Sequence, residues 1–379
     1  MATVELTARA LNRATLRRQL LLGRERLDPV EAVRRVVALQ AQEPASPYVA
    51  LWNRVHGFDP ATFDGALATQ AIVKTSLMRI TLHAVTAEDY PAFHEAMQVS
   101  LRAARLNDRR FTAEGVPVAD VEALVPELLE FAATPRTNAE MERWMEQRFG
   151  SPKPRVWWAL RHYGPFVHAA TGGPWSFRPR PGYTAAREQR RPGDAPASTR
   201  YLVRRYLEGF GPATVQDIAQ FSTIYRPPIH EALRSLGDEL IRHTGPTGEP
   251  LYDVPDGVLP AEDSPAPPRL MAMWDSALLA YADRSRIIPP DYRTLVMRNN
   301  GDVLPTLLVD GYVAGVWRPV EGGIEATAFH RLGRDVWKRL ETEASALIAF
   351  LEPREPLVYR RYGHWWDALP TAERRVLGA

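Results

Sequence analysis

The order of elements readable in these 379 residues predicts a mainly α protein with mixed α+β units, closing on a β-rich domain. Three observations carry that reading. Amphipathic helical stretches are opened by Asp-Pro or Ser-Pro pairs, short hairpin-like runs follow groups of them, and after Leu259 the texture changes to strands separated by glycine-containing turns.

Residues 7–22 carry Leu11, Ala14, Leu16, Leu20 and Leu21 at helical spacing, and Asp28-Pro29 reads as an N-cap and first helical position. A further helix is expected from Asp59-Pro60, followed by two β-like runs, 71–78 and 79–85, in which Ile80, Leu82 and Ala84 alternate with Arg79, Thr81 and His83. Three helices and a hairpin are the order of a winged helix, with the hairpin as its wing. The order recurs over 117–170 and again over 199–254, where helix, turn, helix and hairpin are clearest. Residues 178–198, rich in Pro, Gly and Arg, read as a linker. Beyond a Pro-rich stretch at 259–269, strands are expected at 294–298, 303–309, 312–317 and 324–329, with Asn299-Asn300-Gly301, Asp310-Gly311 and Gly322-Gly323 as turns, then a helix over 335–351. The resulting division is 1–110, 111–198 and 199–265 for three winged helices and 266–379 for the β-rich domain with C-terminal helices.

Composition removes several function classes. The chain has no cysteine, which excludes disulfide frameworks, thiolate metal sites and cysteine nucleophiles. Its nine histidines are scattered without ligand spacing, so no metal is expected, and no phosphate-loop or nucleophile-elbow motif occurs. No apolar run is long enough to span a bilayer and no signal-peptide pattern is present, so a cytoplasmic location without membrane attachment is expected. Lysine occurs only at 74, 153 and 338; Lys74 falls in an expected strand, and lysine-based lyase chemistry is not expected. All other cations are arginine. Eight fall in residues 1–35 and eight in 176–206, on a chain whose formal net charge is only +2. Such clusters suit phosphates, and an anionic partner is a reasonable expectation.

The most unusual local sequence is Leu39-Gln40-Ala41-Gln42-Glu43-Pro44. Pro44 ends helical geometry, and in an extended segment Gln40 and Gln42 share a face, so both carboxamides can converge on one point. Tying off a helix end or a buried turn would use the same residues.

At this segment the chain resembles the AlkZ-like DNA glycosylases. The resemblance is carried by ALNRATLRRQLLL, LQAQEPASPYVALWNR and RITLHAV, and further on by MWDSALLAYADRSRIIP and LLVDGYVAGVWR. Its mark is a glutamine, a hydrophobic residue and a second glutamine or aspartate, here Gln40, Ala41 and Gln42. The resemblance implies three tandem winged helices with a C-terminal β domain. It also implies excision of N7-alkylated purines, including bulky or crosslinking genotoxin adducts, from double-stranded DNA. Gln42 in place of aspartate is similar to the branch tied to genotoxin self-resistance. Carboxamides do not titrate, so Gln40 and Gln42 would orient water and stabilise charge at C1′; a cationic N7-alkylguanine is already a good leaving group. Glu43 is the alternative water-activating group. The expected enzyme is a monomeric, monofunctional glycosylase with no cofactor, nucleoid-associated when bound to DNA. Arg79, His83, Arg298, Asn299 and Asn300 are the expected DNA contacts, and Asp275 and Arg284 are expected to pair within the β domain. The rival reading is a winged-helix transcription regulator without chemistry, against which stand the modest net charge and the weakly basic third-unit helix at 228–236.

Overall fold

The computed structural model describes residues 4–177, 180–188 and 193–378. Its architecture is mixed α/β, 47% helical and 17% strand, so helix outweighs strand nearly threefold. The strands form three small three-stranded sheets and one five-stranded sheet.

The first unit runs through helix Pro29–Val36, strand Leu39–Gln40, helices Ser46–Arg54 and Pro60–Ala68, and strands Ile72–Ser76 and Leu82–Thr86. Asp28 and Asp59 cap their helices as expected, accepting backbone N–H bonds from Val30 and Ala61 at 2.9 Å. Strand Leu82–Thr86 lies between the other two, with Gln40 opposite His83 and Lys74 opposite Ala84. The second unit repeats this order. Helices Val118–Ala123 and Val125–Phe131 precede strand Arg136–Thr137, helices Asn138–Phe149 and Pro154–Tyr163, and strands Phe166–Ala169 and Gly182–Ala185. In the third, helix Ala195–Phe210 is followed by a single bridge from Ala213 to Tyr252, helices Val215–Ser222 and Arg226–Leu236, and strands Ile241–Thr244 and Pro250–Asp253. In the first two sheets the last strand is central; in the third, Ile241–Thr244 is. Strand Val4–Glu5 adds in parallel to Ile241–Thr244, tying the N-terminus to the third unit.

Strands Arg269–Leu270, Thr306–Val309, Tyr312–Val320, Gly323–Ala328 and Glu373–Leu377 form the five-stranded antiparallel sheet in sequence order, packed against helix Arg334–Leu351. One apolar core runs from this sheet into the first unit, joining Leu39, Tyr48, Leu51 and Phe63 to Leu307, Trp317 and Leu347. A second core unites the second and third units. No helix of the described residues is long and apolar enough to cross a membrane.

Several expectations are corrected. Helix Ser46–Arg54 adds an element for which the sequence reading held no expectation; Pro47 sits in its first turn, where the missing N–H costs no helical bond. Residues 293–296 are helical rather than a strand, and only one bridge, Met297 to Val303, closes the loop at 298–302. The supposed linker 178–198 contains strand Gly182–Ala185, whose residues Gly182, Tyr183 and Thr184 are buried. The first hairpin is no exposed wing: all of Ile72–Ser76 and nearly all of Leu82–Thr86 are buried.

Candidate active site

Two clefts meet at the segment 40–43. The larger, about 580 Å³, is lined by both Gln40 and Gln42, by Trp274 and by the loop Asn300–Asp302. The smaller, about 480 Å³, is lined by Gln42, Glu43, Lys74 and His168. Gln42, Leu82, His168 and Arg361 line both, so the two adjoin along these residues.

Gln40 closes the short edge strand and is 6% exposed. The extended path continues one residue further, since Ala41 donates its N–H to the Leu82 carbonyl at 2.8 Å. Gln42 then emerges exposed into the cleft, with no hydrogen-bond partner among the described residues. Gln40 Oε1 accepts a hydrogen bond from Arg79 Nη2. A guanidinium only donates, so this contact fixes the carboxamide with its oxygen toward Arg79 and leaves the NH₂ for other partners. Arg79 and Ile80 hold left-handed backbone, φ 53° and 57°, between the hairpin strands. That conformation is costly for side-chain-bearing residues, and here it turns the arginine back over the edge strand. The guanidinium stands 5.7 Å from the Phe221 ring, and its other terminal nitrogen, Nη1, is buried without a partner. Burial and the nearby Arg284 lower the Arg79 pKa, but arginine stays charged at neutral pH.

Glu43 lies 3.3 Å from Arg361, and burial raises its pKa against the opposing pull of Arg361 and Lys74. Lys74 is 4% exposed, its Nζ 4.1 Å from the Phe177 ring centroid. Burial, only partly opposed by Glu43, lowers its pKa to about 7. His168 beside it is kept neutral by burial and by the Lys74 charge.

The far wall of the larger cleft is cationic. Arg161 Nη1 donates to Asn138 Oδ1 at 2.9 Å and to the Tyr183 hydroxyl at 3.0 Å, and Arg105 packs 5.0 Å from the Trp158 ring. Neither has an ion-pair partner among the described residues. Asp108, whose charge reaches Arg105, is already held by Arg110 at 2.7 Å. Between the two arginines His162 meets Ser76 Oγ at 2.6 Å, and burial together with both cations pushes its pKa down to about 3. Asp302 is the one carboxylate lining this cleft among the described residues.

The expected DNA contacts divide. His83 is fully buried, 0% exposed, its ring 6.5 Å from Phe221 and its pKa lowered to about 3 by burial and by Arg79. It is not on a solvent face, because helix Val215–Ser222 of the third unit brings Phe221 over that face of the sheet. Arg79 likewise serves Gln40 instead of projecting outward. Arg298, Asn299 and Asn300 are exposed, but only Asn300 lines the cleft; Arg298 covers the Trp365 ring at 4.3 Å. The left-handed residue of that turn is Gly301, φ 88°, and Trp274 Nε1 pins its carbonyl at 2.8 Å. Asp275 pairs with Arg54 at 2.8 Å, both fully buried, and not with Arg284, which contacts Met297 Sδ at 3.5 Å.

The two arginine-rich stretches are largely neutralised within the molecule. Arg18 holds Asp253 at 2.6 Å, Arg24 holds Glu343 at 2.6 Å, Arg205 holds Asp89 at 2.9 Å and Arg204 holds Glu239 at 2.7 Å. Arg178, Arg190 and Arg191 lie outside the described residues. Arg105, Arg161, Trp274 and Arg361 were missed by the sequence reading, for no local motif marks them; only the fold brings them to Gln40 and Gln42.

A family profile described as DNA glycosylase AlkZ-like matches residues 33–350. An interstrand DNA cross-link repair glycosylase of Streptomyces sahachiroi is 24% identical over 358 residues, covering 87% of this chain and 92% of that protein. The solved structure of the DNA glycosylase AlkZ from the same organism superposes with a TM-score of 0.76 at 22% identity, covering 93% of this chain and 99% of that one.

Proposed function

The chain belongs to the AlkZ-like DNA glycosylase family, and from that premise we propose that it hydrolyses the N-glycosidic bond of N7-alkylated purines, with bulky or crosslinking genotoxin adducts as its substrates. The three helix–hairpin units are read as winged helices, and the protein as a monomer needing no cofactor. The observation that carries the chemistry is that Gln40 and Gln42 line one cleft while the direction of one carboxamide is fixed by Arg79.

The roles follow from hydrogen-bonding capacity. Gln40 turns its NH₂ away from Arg79 and offers a donor to the departing nucleoside or to the water. Gln42 has its carbonyl free to accept a proton-side contact from that water and aim its lone pair at C1′. An N7-alkylpurine carries a positive charge, so it leaves without being protonated, and charge builds on the sugar. Fixed dipoles stabilise that charge without having to reorganise. The Arg105 and Arg161 wall supports the reading by offering uncompensated cations to backbone phosphates across the cleft from the glutamines. Two adjoining open clefts, instead of one closed pocket, suit an adduct too large for ordinary base flipping.

The test is single-turnover release of free base from duplex DNA, first with one N7-methylguanine and then with a bulky or crosslinked adduct. Gln40→Ala with Gln42→Ala is expected to slow release by about 10²–10³-fold. The wild-type rate is expected to be flat from about pH 6 to about pH 8, as no titrating base is used. A rate that falls on acidification would transfer water activation to Glu43. No release from any alkylated duplex would refute the glycosylase reading.

A further inference from the structure

Of three lysines in the chain, only Lys74 is buried. It stands on strand Ile72–Ser76 opposite Ala84, and Ala84 is in turn opposite Leu39, the residue before Gln40. Alternation puts Lys74, Ala84 and Leu39 on one face of the sheet and Gln40 with His83 on the other, so the amine meets the glutamine segment at the cleft lined by Gln42 and Glu43 and not along this row. The Nζ rests on the Phe177 ring and makes no ion pair or hydrogen bond with a described residue. It shares its cleft with Gln42, Glu43 and His168, and that cleft adjoins, at Gln42, the one proposed to take the glycosidic bond.

An ammonium held in this way lacks a paired carboxylate and has only the ring face to offset its desolvation, so a neutral amine costs less to bury there. Its lowered pKa agrees with that geometry and leaves much of the amine unprotonated near neutrality. A desolvated lysine beside an apolar ring is the setting in which amines attack carbonyl carbon. Base excision creates such a carbonyl, since the abasic sugar opens to an aldehyde at C1′.

We propose that Lys74 gives the protein a second activity, β-elimination at the abasic site through a covalent imine. The inference rests on the glycosylase reading for the origin of its substrate. The Nζ lone pair forms a bond to C1′ while the carbonyl oxygen takes a proton, giving a carbinolamine. Loss of that oxygen as water yields the protonated imine. The carboxylate of Glu43, on the same cleft, then takes a proton from C2′. Those electrons form the C2′–C3′ double bond as the C3′–O bond breaks, and the 3′ phosphate departs with the electron pair. Water hydrolyses the imine, releasing the unsaturated aldehyde and regenerating the amine. No oxidant, reductant or further reactant is needed. The sequence expectation of no lyase chemistry rested on Lys74 lying in a strand; the proposal departs from it on the burial of Lys74 in the cleft wall.

The experiment uses the full chain and a duplex with a preformed abasic site, so excision is bypassed. With borohydride present, a stable protein–DNA adduct is expected, and peptide mass mapping should place it on Lys74. Without borohydride the strand should be nicked 3′ to the site. Lys74→Met should lose the adduct and the exposed-site control Lys338→Met should keep it. No adduct, or one mapped in the wild type to the N-terminal amine or another lysine, overturns the proposal whatever the variants do. Because base release is scored separately on alkylated duplex, a failed glycosylase reading and a failed lyase are told apart.

Discussion

Around helix Ala8–Arg18 every arginine meets a carboxylate: Arg9 and Arg13 hold Asp310, Arg17 holds Glu25 and Arg18 holds Asp253. Along the cleft wall Arg105 and Arg161 meet none among the described residues. The two regions draw on the same residue type in the same chain, yet one uses its forks to clamp distant segments together and the other leaves positive charge unspent. In the first, the forks reach from the N-terminal helix to the third unit and the β domain, and Gly311 lets the Asp310-Gly311 turn press so close that a Cβ there would sit 2.5 Å from Leu16. In the second, hydroxyl, amide and ring partners hold the guanidiniums in place without cancelling them. Net charge and arginine content cannot distinguish these uses; the partner atoms do.

The comparison breaks most visibly at the extreme paired case. Arg54 and Asp275 are both fully buried, so Arg54→Met leaves a carboxylate with no counter-charge and should cost about 3–5 kcal/mol in urea denaturation. A loss under about 1 kcal/mol would show that the buried pair is not a clamp.

Acid sharpens the comparison next, because the cations near the cleft also keep histidines neutral. His83 and His162 have folded pKa values of about 3, below the roughly 6.5 of an unfolded chain. Between those values the unfolded chain binds more protons, so the stability is fully present above about pH 6.5 and is lost as pH falls toward 3. For the fully buried His83 alone this amounts to about 1–2 kcal/mol at pH 5, read as a lower urea midpoint than at pH 7. An unchanged midpoint would mean that the histidines find charged-state partners on folding.

The smallest change separates the two regions cleanly. Arg105→Gln and Arg161→Gln should each lower the slope of log affinity against log salt for undamaged duplex by roughly one. Arg204→Gln, in the arginine-rich segment but paired with Glu208 and Glu239, should leave that slope unchanged. Equal slopes for all three variants would remove the distinction drawn here.

Legibility in the sequence followed the range of the interactions. Helices with their own punctuation, Asp28-Pro29 and Asp59-Pro60, were readable because the capping side chain and the helix lie within a few residues. The glutamine pair was readable for the same reason: its spacing and Pro44 are local. Strand Gly182–Ala185 was not, since it owes its state to Phe166–Ala169 and to Arg136–Thr137 far upstream, within a segment whose composition suggests a linker. The exposed wing at Arg79 and His83 was misread for a related reason. Alternation showed a strand, but not that it starts only at Leu82 or that Phe221 from the third unit would cover its face. Arg105, Arg161 and Trp274 reach the glutamines only through folding, and no spacing in the chain announces them.

The core shared by the first unit and the five-stranded sheet bears on how this molecule can be taken apart. Its residues come from the first quarter of the chain and from the last third, with only Trp175 and Phe177 added from the second unit between them. The module that holds the glutamines is thus no portable cassette. Severed in the exposed Pro-rich stretch near 259–268, the chain would yield two pieces with complementary raw faces, each incomplete until it met the other. The same arrangement makes that stretch a natural seam for a split enzyme, in which excision would report that the two halves had been brought together.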